Sequence, residues 1–314
     1  MILIDHFKNS LHTSRILSNK QNKFIYLFDF LRIFLIRFFY SFYQIRNLQK
    51  PKYKNITFEN NNFIDSKIDF SKIIREIDDD GFYDKLKLRP KTIEEIDNQV
   101  DQINFLIGSK TNSIENIDKI SFNNLDQIVA IVKEKKISHL TLNYKTKNKN
   151  NIFKKIAFDD FFVSMAKCYL GTNNINSNIS IIISNNIETL ESKKKDNAQY
   201  FHYDCDYKKF FKIFIYLNDV DSETGPHVFV KKSHKRKNYK HILAERLNDD
   251  EIQKIYDNKN IIKHLKKKGS IIIEDTFGLH KGEFPKKLRA MLILEYGKGK
   301  SILSNQKNKI YLSC

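Results

Sequence analysis

The sequence contains no tryptophan and little glycine, proline, methionine or cysteine. Nine glycines and four prolines among 314 residues exclude a collagen-like or linker-rich architecture. The three cysteines, Cys168, Cys205 and Cys314, form neither a paired disulfide framework nor a CxxC zinc motif. A sparse and odd set of cysteines is typical of a reducing compartment, so we predict a cytoplasmic location.

Positive charge is in excess, with 55 Lys and Arg against 37 Asp and Glu and a formal net charge of +18. Such a surplus favours contact with phosphates, anionic lipid or an acidic small molecule. No basic–aromatic motif of a known nucleic-acid reader accompanies it, so no specific nucleic acid is expected as a partner. The hydrophobic fraction of 41% excludes a chain that is disordered throughout.

The most apolar segment, residues 24–43, lacks the uncharged run of roughly 18 residues that a membrane-spanning helix needs. Asp29, Arg32 and Arg37 interrupt it, and on a helical wheel they share one side, opposite a face of phenylalanine and leucine. This amphipathic helix either packs on the domain or on a second copy of the chain, or lies peripherally on an anionic membrane surface. Packing is favoured, because apolar helix faces are usually buried in protein.

The chain divides at a polar, Asn-rich linker that follows Pro51. Residues 1–60 are predicted to hold the amphipathic helix and this linker, and residues 61–314 a single domain. Within that domain, residues 61–175 show helical periodicity and predict supporting helices at 70–78, 92–106, 125–135 and 158–170.

Residues 176–314 change to short runs that are rich in β-branched and aromatic side chains. Turn residues between them predict strands at 178–184, 199–205, 209–217, 227–230, 270–274 and 289–296. A helical insert is predicted at about residues 241–267. Strands after a helical half predict an α+β fold with a mainly β core, a sandwich or jelly roll with helices on one side.

Candidate metal ligands begin at His202 and Asp204. Alternate side chains of a strand share a face, so the imidazole and the carboxylate point the same way. A third ligand is available in His280, which follows the apolar strand 270–274 and a glycine-containing turn. Two histidines and one carboxylate are typical of non-heme Fe(II) oxygenases, although zinc accepts the same ligands. Arg289 opens the next strand, and its planar guanidinium suits bidentate capture of a carboxylate.

The order of these motifs resembles the phytanoyl-CoA dioxygenase-like Fe(II)/2-oxoglutarate oxygenases. The motifs that carry the resemblance are Gln199-x-x-His202-x-Asp204, the strand Lys212–Asp219, Gly225-Pro226-His227-Val228, Ser233-His234-Lys235, Gly269–Ile273, Asp275-Thr-x-x-Leu-His280 and Arg289. They cover about residues 178–296 and leave residues 1–60 outside.

The resemblance implies a double-stranded β-helix, that is, a cupin-like jelly-roll barrel. His202, Asp204 and His280 match the family's iron ligands, and Arg289 matches the residue that grips the distal carboxylate of 2-oxoglutarate. Phe214 stands where the family often has an aromatic side chain beside this cosubstrate. Lys212 shares the strand face of Phe214, and we include it and Gln199 among the cofactor-binding residues. Gly282 departs from the family, which often has a polar residue two positions after the distal histidine.

The implied activity is that of a dioxygenase that uses Fe(II), 2-oxoglutarate and O2 and releases succinate and CO2. Hydroxylation is favoured over halogenation, because the related halogenases lack the carboxylate ligand that Asp204 supplies here. The expected substrate is a small molecule or is lipid-like. The alternative function is a barrel that has lost turnover and serves as a binding module, against which the intact ligand set argues.

Overall fold

The computed structural model describes residues 57–58, 62–65, 68–98, 103–107, 120–122, 129–130, 133–134, 139–144, 151–186, 198–235, 237, 246–299 and 310–311. The predicted amphipathic helix at 24–43 and most of the predicted helix at 125–135 lie outside these residues. Among the helices that are described, none has the length and apolar character needed to cross a bilayer.

The described strands alternate with short helices in the first half and dominate the second half. The strands are β1 (Thr57–Phe58), β2 (Ile68–Asp69), β3 (Phe82–Lys87), β4 (Ile103–Ile107), β5 (Ile120–Phe122), β6 (His139–Tyr144), β7 (Ile175–Ser184), β8 (Phe210–Tyr216), β9 (His227–Val230), β10 (Ile261–Lys263), β11 (Ser270–Glu274), β12 (His280–Gly282), β13 (Arg289–Lys298) and β14 (Ile310–Tyr311). The helices are α1 (Phe70–Asp80), α2 (Pro90–Asp97), α3 (Ile152–Ala157), α4 (Asp160–Leu170), α5 (Asp249–Gln253) and a 3-10 turn at Asn258–Asn260.

Two antiparallel sheets form the core. The larger one has the strand order β3-β11-β8-β13-β7-β6-β4-β5, with β14 also paired to β7, and the smaller one has the order β10-β9-β12. The inner faces of the two sheets pack toward each other, since the ring of Phe214 on β8 lies 4.5 Å from the ring of His227 on β9. The interior of the barrel between these faces is called the chamber below. This arrangement is the jelly-roll, double-stranded β-helix that the sequence predicts.

Helices cover the outer face of the larger sheet. Helix α1 places Phe70, Ile73, Ile74 and Ile77 on one buried face, at the spacing of a helix that packs along a single stripe. The side chain of Asp69 caps its first turn, and Gly81 ends it in the left-handed conformation, with φ of 96°. A Cβ at that position would lie 2.7 Å from the Phe229 ring, so the turn and the close packing both require glycine.

Strand alternation separates the helix-covered core from the chamber. On β13 the even-numbered residues Ala290–Tyr296 join the core beneath the helices, while Met291 and Ile293 belong to a separate cluster inside the barrel. On β8 the odd-numbered residues join the helix-covered core, and Phe214 and Tyr216 face inward. The period of two along these strands therefore decides which side chains can reach the site.

The prediction of purely helical support from residues 61–175 is wrong in part, because strands β2–β6 also come from this region. The helix predicted at 92–106 ends at Asp97, and residues 103–107 form strand β4 instead. That run is rich in β-branched and aromatic residues and pairs with β5 and β6. The helices predicted at 70–78 and 158–170 are confirmed within two residues at their ends.

Two further predictions of local structure need correction. Residues 199–205 form no regular strand. Phe201 forms an isolated β-bridge with Leu247 and His202 forms one with His280, so the segment has no continuous pairing with one neighbouring strand. The predicted helical insert at 241–267 contains, in its described part, only the five-residue helix α5, the 3-10 turn and strand β10. Strand β10 pairs with β9 and so becomes part of the barrel.

A partly buried ion-pair group joins the two sheets at Asp84 on β3. Its carboxylate lies 3.2 Å from His264 Nδ1 and 2.9 Å from Lys266 Nζ, both just after β10. Burial acts to raise the pKa of Asp84, but hydrogen bonds from His264 and Lys266 outweigh it and hold this pKa well below its usual value. The ionised carboxylate is therefore the form that stabilises the fold.

We expect Asp84→Asn to lower the free energy of unfolding by about 1–3 kcal/mol at pH 7, because it leaves buried donors poorly paired. A carboxyl whose folded pKa is depressed stabilises the fold above its unfolded pKa of about 3.9, and this stability is lost as the pH falls. Urea unfolding of the full-length protein should therefore show a constant deficit above about pH 5 that shrinks below about pH 4.

Asp97→Asn is the matched control, because Asp97 pairs with Lys268 at 2.6 Å on the surface, where the two side chains are 41% and 33% exposed. Its effect should stay below about 1 kcal/mol. Equal losses in the two variants, or a deficit in Asp84→Asn that does not change with pH, would contradict this account.

Candidate metal and cosubstrate site

A His–Asp–His cluster lies inside the barrel. One nitrogen each of His202 and His280 and one carboxylate oxygen of Asp204 lie within 4.8 Å of one another. His280 Nε2 is 3.5 Å from Asp204, and His202 Nε2 is 3.9 Å from it. Three such groups on one side of a common point could hold a divalent metal ion with further positions open.

The imidazole tautomers suit metal binding. His202 Nδ1 donates to the carbonyl of Tyr200 at 3.0 Å, and His280 Nδ1 donates to the carbonyl of Gly278 at 2.9 Å. Each Nε2 is then left with a lone pair directed toward the cluster. Burial is the largest cause of the lowered pKa of His202 and of His280, so both rings stay neutral, as metal ligands must be.

Backbone hydrogen bonds from two segments bring the three ligands together. The His202 N–H donates to the His280 carbonyl at 2.9 Å, and the His280 N–H donates back at 2.8 Å. The Asp204 N–H donates to the Thr276 carbonyl at 2.9 Å. Ser233 accepts a hydrogen bond from the N–H of Leu279, next to His280, which ties the end of β9 to the same segment.

Lys212 on β8 contacts the carboxylate of the cluster. Its ammonium lies 2.8 Å from Asp204 Oδ2 and 3.2 Å from Asp206 Oδ2. Burial acts to lower the pKa of Lys212, but Asp204, Asp206 and Glu295 outweigh it and raise this pKa. Burial acts to raise the pKa of Asp204, and Lys212 with the two histidines overcomes it and lowers this pKa, so the ligand carboxylate is ionised.

Arg289 lies at the opposite end of the chamber and is only 5% exposed. Its guanidinium donates to the Gly225 carbonyl and, at 3.4 Å, to the Ser184 hydroxyl, and its Nε has no hydrogen-bond partner. Among the described residues, no carboxylate lies within ion-pair distance of it. A buried cation with only neutral partners suits an anionic ligand, because an unpaired buried charge is costly.

Gly282 makes room for this guanidinium. A Cβ at residue 282 would lie 2.9 Å from Arg289 Nη2 and 3.4 Å from Nη1. The departure of Gly282 from the resembling family therefore has a steric cause in this chain. A polar side chain at residue 282, as the family often has, would collide with the Arg289 guanidinium in its present position.

Between its two polar ends the chamber is apolar. Phe214, Ile272 and Ile293 lie in one row across β11, β8 and β13, and Ile182 packs against the same cluster. A metal site, an apolar middle and an unpaired guanidinium match a short dicarboxylate whose carboxylates are separated by methylene groups. The donor set therefore fits iron, and the buried guanidinium fits an anionic cosubstrate such as 2-oxoglutarate.

A second buried pair, His227 and Glu274, faces the same chamber. His227 Nε2 lies 3.0 Å from both carboxylate oxygens of Glu274, and the His227 ring lies 5.5 Å from the His280 ring. Burial raises the pKa of Glu274 to about 7 and lowers the pKa of His227. Burial thus favours the uncharged forms of both side chains, and the hydrogen bond between them satisfies the two buried groups.

The structure brings together all three predicted metal ligands, and Phe214, Lys212 and Arg289 face the same chamber. Gln199 is partly buried, and its side-chain oxygen has no partner among the described residues. The sequence analysis missed Ser184 and Glu274. The sequence offered a signal for Glu274, since it is the one charged residue of strand β11 and follows four uncharged residues.

Comparison with known proteins agrees with this geometry. Residues 87–283 match the phytanoyl-CoA dioxygenase (PhyH) family, a range that includes the three metal ligands and ends six residues before Arg289. Among curated protein sequences, none matches this chain.

Several solved structures are similar to the chain at low identity. EctD from S. alaskensis, with 2-oxoglutarate and 5-hydroxyectoine, has 12% identity and a TM-score of 0.47 over 79% of this chain and 82% of that one. The epimerase SnoN from nogalamycin biosynthesis has 11% identity and a TM-score of 0.46, over 73% of this chain and 80% of that one. HygX from Streptomyces hygroscopicus, with nickel and 2-oxoglutarate, has 12% identity and a TM-score of 0.44, over 72% of this chain and 86% of that one. Likenesses this weak carry no functional inference.

We expect His202→Ala and His280→Ala each to weaken divalent metal binding by more than about 100-fold, because loss even of an outer partner of a ligand typically costs 10- to 100-fold. Titration calorimetry of the metal-free protein with Co(II) measures the affinity. His234→Gln is the control, since His234 is also buried but hydrogen-bonds the Asp78 carbonyl and is not part of the cluster. Full metal content in a His202→Ala/His280→Ala double variant would refute the site.

Proposed function

The chain belongs to the phytanoyl-CoA dioxygenase family of iron- and 2-oxoglutarate-dependent oxygenases, and we propose that it hydroxylates a small-molecule or lipid-like substrate and releases succinate and CO2. The observation that carries the proposal is the chamber itself, with the His–Asp–His cluster at one end and, at the other, a buried guanidinium that has no carboxylate partner in the described part of the chain.

We assign iron to His202, Asp204 and His280. Iron, when bound, supplies the activation of O2, and the protein supplies position and the exclusion of water. Arg289 holds the distal carboxylate of 2-oxoglutarate by paired hydrogen bonds, with the Ser184 hydroxyl beside it. Phe214 packs against the methylene groups of the cosubstrate. Gln199 stays a predicted contact, supported by its buried, unpartnered oxygen.

Hydroxylation rather than halogenation is supported by the presence of Asp204 in the ligand set. Its carboxylate would take the place at a bound metal ion that a halide would need. The substrate contacts arise outside this ligand set, and a small-molecule or lipid-like substrate stays a prediction.

The cellular setting of the enzyme is a proposal as well. Residues 24–43 lie outside the described residues. The helix predicted there either docks on the protein, mediates self-association or lies on a membrane surface, and docking or self-association is favoured. The cytoplasmic location predicted from the cysteines also stays a prediction.

The test of the activity is succinate formation by the full-length protein with Fe(II), ascorbate and 2-oxoglutarate under air. Lipid and small-molecule extracts serve as the source of substrate, so the readout does not require the substrate to be known. We expect turnover that His280→Ala abolishes. Intact metal and 2-oxoglutarate binding with no succinate above the His280→Ala background, in the presence of lipid and small-molecule extracts, would favour the binding module instead.

Arg289→Ala should raise the dissociation constant of 2-oxoglutarate by at least about 30-fold, because truncating one partner of a buried charge pair costs about 2–5 kcal/mol. Gly282→Ala should weaken 2-oxoglutarate in the same direction, since its Cβ would meet the guanidinium at 2.9 Å. Both constants are measured on Co(II)-loaded protein by calorimetry, and Co(II) affinity should change by less than about 3-fold. Unchanged 2-oxoglutarate affinity in Arg289→Ala would refute its assignment.

A further inference from the structure

Lys212 is surrounded by acidic side chains on the inner face of the larger sheet. Across the strands, it lies opposite Glu274 on β11 and opposite Glu295 on β13. From the loop above the sheet, Asp204 and Asp206 approach its ammonium at 2.8 and 3.2 Å. The ammonium thus contacts two carboxylates directly, two further carboxyl groups lie beside it on the neighbouring strands, and its side chain is only 17% exposed.

The contact that Lys212 makes is with a metal ligand rather than with open space in the chamber. The ammonium bonds Asp204 Oδ2, the oxygen that also lies 3.5 Å from His280 Nε2. Arg289, at the other end of the chamber, has no such acidic partner among the described residues. The two cations therefore have different electrostatic tasks, although both face the same chamber.

We propose that Lys212 is a positioning residue that balances the charge of the site between metal and cosubstrate: it orients Asp204 and offsets the surrounding carboxylates so that a dianion can bind beside them. The inference rests on the proposed function and goes beyond it, because it assigns Lys212 to the ligand Asp204 and not to direct capture of 2-oxoglutarate.

The charges around Lys212 lead to a specific consequence. Without the ammonium, Asp204, Asp206 and Glu295 leave a negative excess at the metal end of the chamber. A negative excess attracts a divalent cation and repels a dicarboxylate, and both effects are strong where water is excluded. Loss of Lys212 should therefore change the two affinities in opposite directions.

A purely structural role predicts a different pattern, because a disturbed barrel loses affinity for both ligands together. Direct capture of 2-oxoglutarate by Lys212 predicts a third pattern, in which cosubstrate affinity falls and metal affinity does not change. The sign of the change in metal affinity thus distinguishes the three roles.

The experiment compares Lys212→Met, which removes the charge at similar length, with Lys212→Arg, which keeps it. Titration calorimetry measures Co(II) binding to the metal-free full-length protein and then 2-oxoglutarate binding to the Co(II)-loaded protein. We expect Lys212→Met to bind Co(II) about 3- to 10-fold tighter and 2-oxoglutarate about 10-fold weaker, as the charge change requires. Lys212→Arg should keep both constants within about 3-fold of the original protein.

Asp206→Asn provides the mirror-image variant, because it removes one acid beside Lys212 and no metal ligand. It should weaken the binding of Co(II) and strengthen the binding of 2-oxoglutarate, each by about 2- to 3-fold. The absorption bands of bound Co(II) report whether the coordination of the ion changes, which does not depend on turnover. We expect a shifted spectrum in Lys212→Met, where Asp204 has lost its partner, and an unchanged one in Lys212→Arg.

Parallel weakening of both ligands in Lys212→Met, or Co(II) affinity that does not change, would overturn the inference. These outcomes leave the proposed function intact as long as Arg289→Ala still weakens the binding of 2-oxoglutarate. Failure of the original protein to bind 2-oxoglutarate at all would instead overturn the proposed function, and the cosubstrate half of this inference with it.

Discussion

The reciprocal backbone hydrogen bonds between His202 and His280 are the constraint on which the site depends. They join an irregular segment to a three-residue strand, and each partner carries a metal-ligating ring. Since β12 is itself held by β9, the position of both imidazoles follows from the smaller sheet. Asp204, two residues on, is then held over the chamber by its hydrogen bond to the Thr276 carbonyl.

Around this junction the barrel sorts polar groups by strand alternation. Inward positions of the larger sheet carry Glu274, Lys212 and Glu295 in one row, an apolar row next to it, and Arg289 near the far end. Each charged residue in this interior would be costly alone. Lys212 pairs with acids and His227 pairs with Glu274, whereas the partners of Arg289 among the residues that the structure describes are all neutral. That difference makes the guanidinium, and not Lys212, the cation best suited to a ligand.

Glycine at residue 282 shows how one position can serve the site by lacking a side chain. The resembling family often uses a polar side chain there, and here the space belongs to the guanidinium of Arg289. The Ser184 hydroxyl, delivered from the end of β7 directly opposite Arg289, supplies a neutral donor and acceptor at the same end of the chamber. The polar function thus comes from a strand that is distant in sequence.

The sequence alone determined the strands β7, β8, β9, β11 and β13, because β-branched and aromatic runs bounded by turn residues report a buried sheet directly. It also predicted His202, Asp204 and His280 as metal ligands, because their order along the chain resembles a family pattern, and the structure places their ligand atoms within 4.8 Å of one another. The predicted helices were wrong at residues 103–107, whose β-branched and aromatic run pairs with β5 and β6, and in the insert, where residues 261–263 pair with β9. Only the tertiary structure decided that Lys212 contacts Asp204, that Gly282 accommodates Arg289 and that His227 meets Glu274. These pairs are 8, 7 and 47 residues apart in the chain, and their contacts arise from the facing of two sheets and from close packing, which no spacing in the sequence encodes.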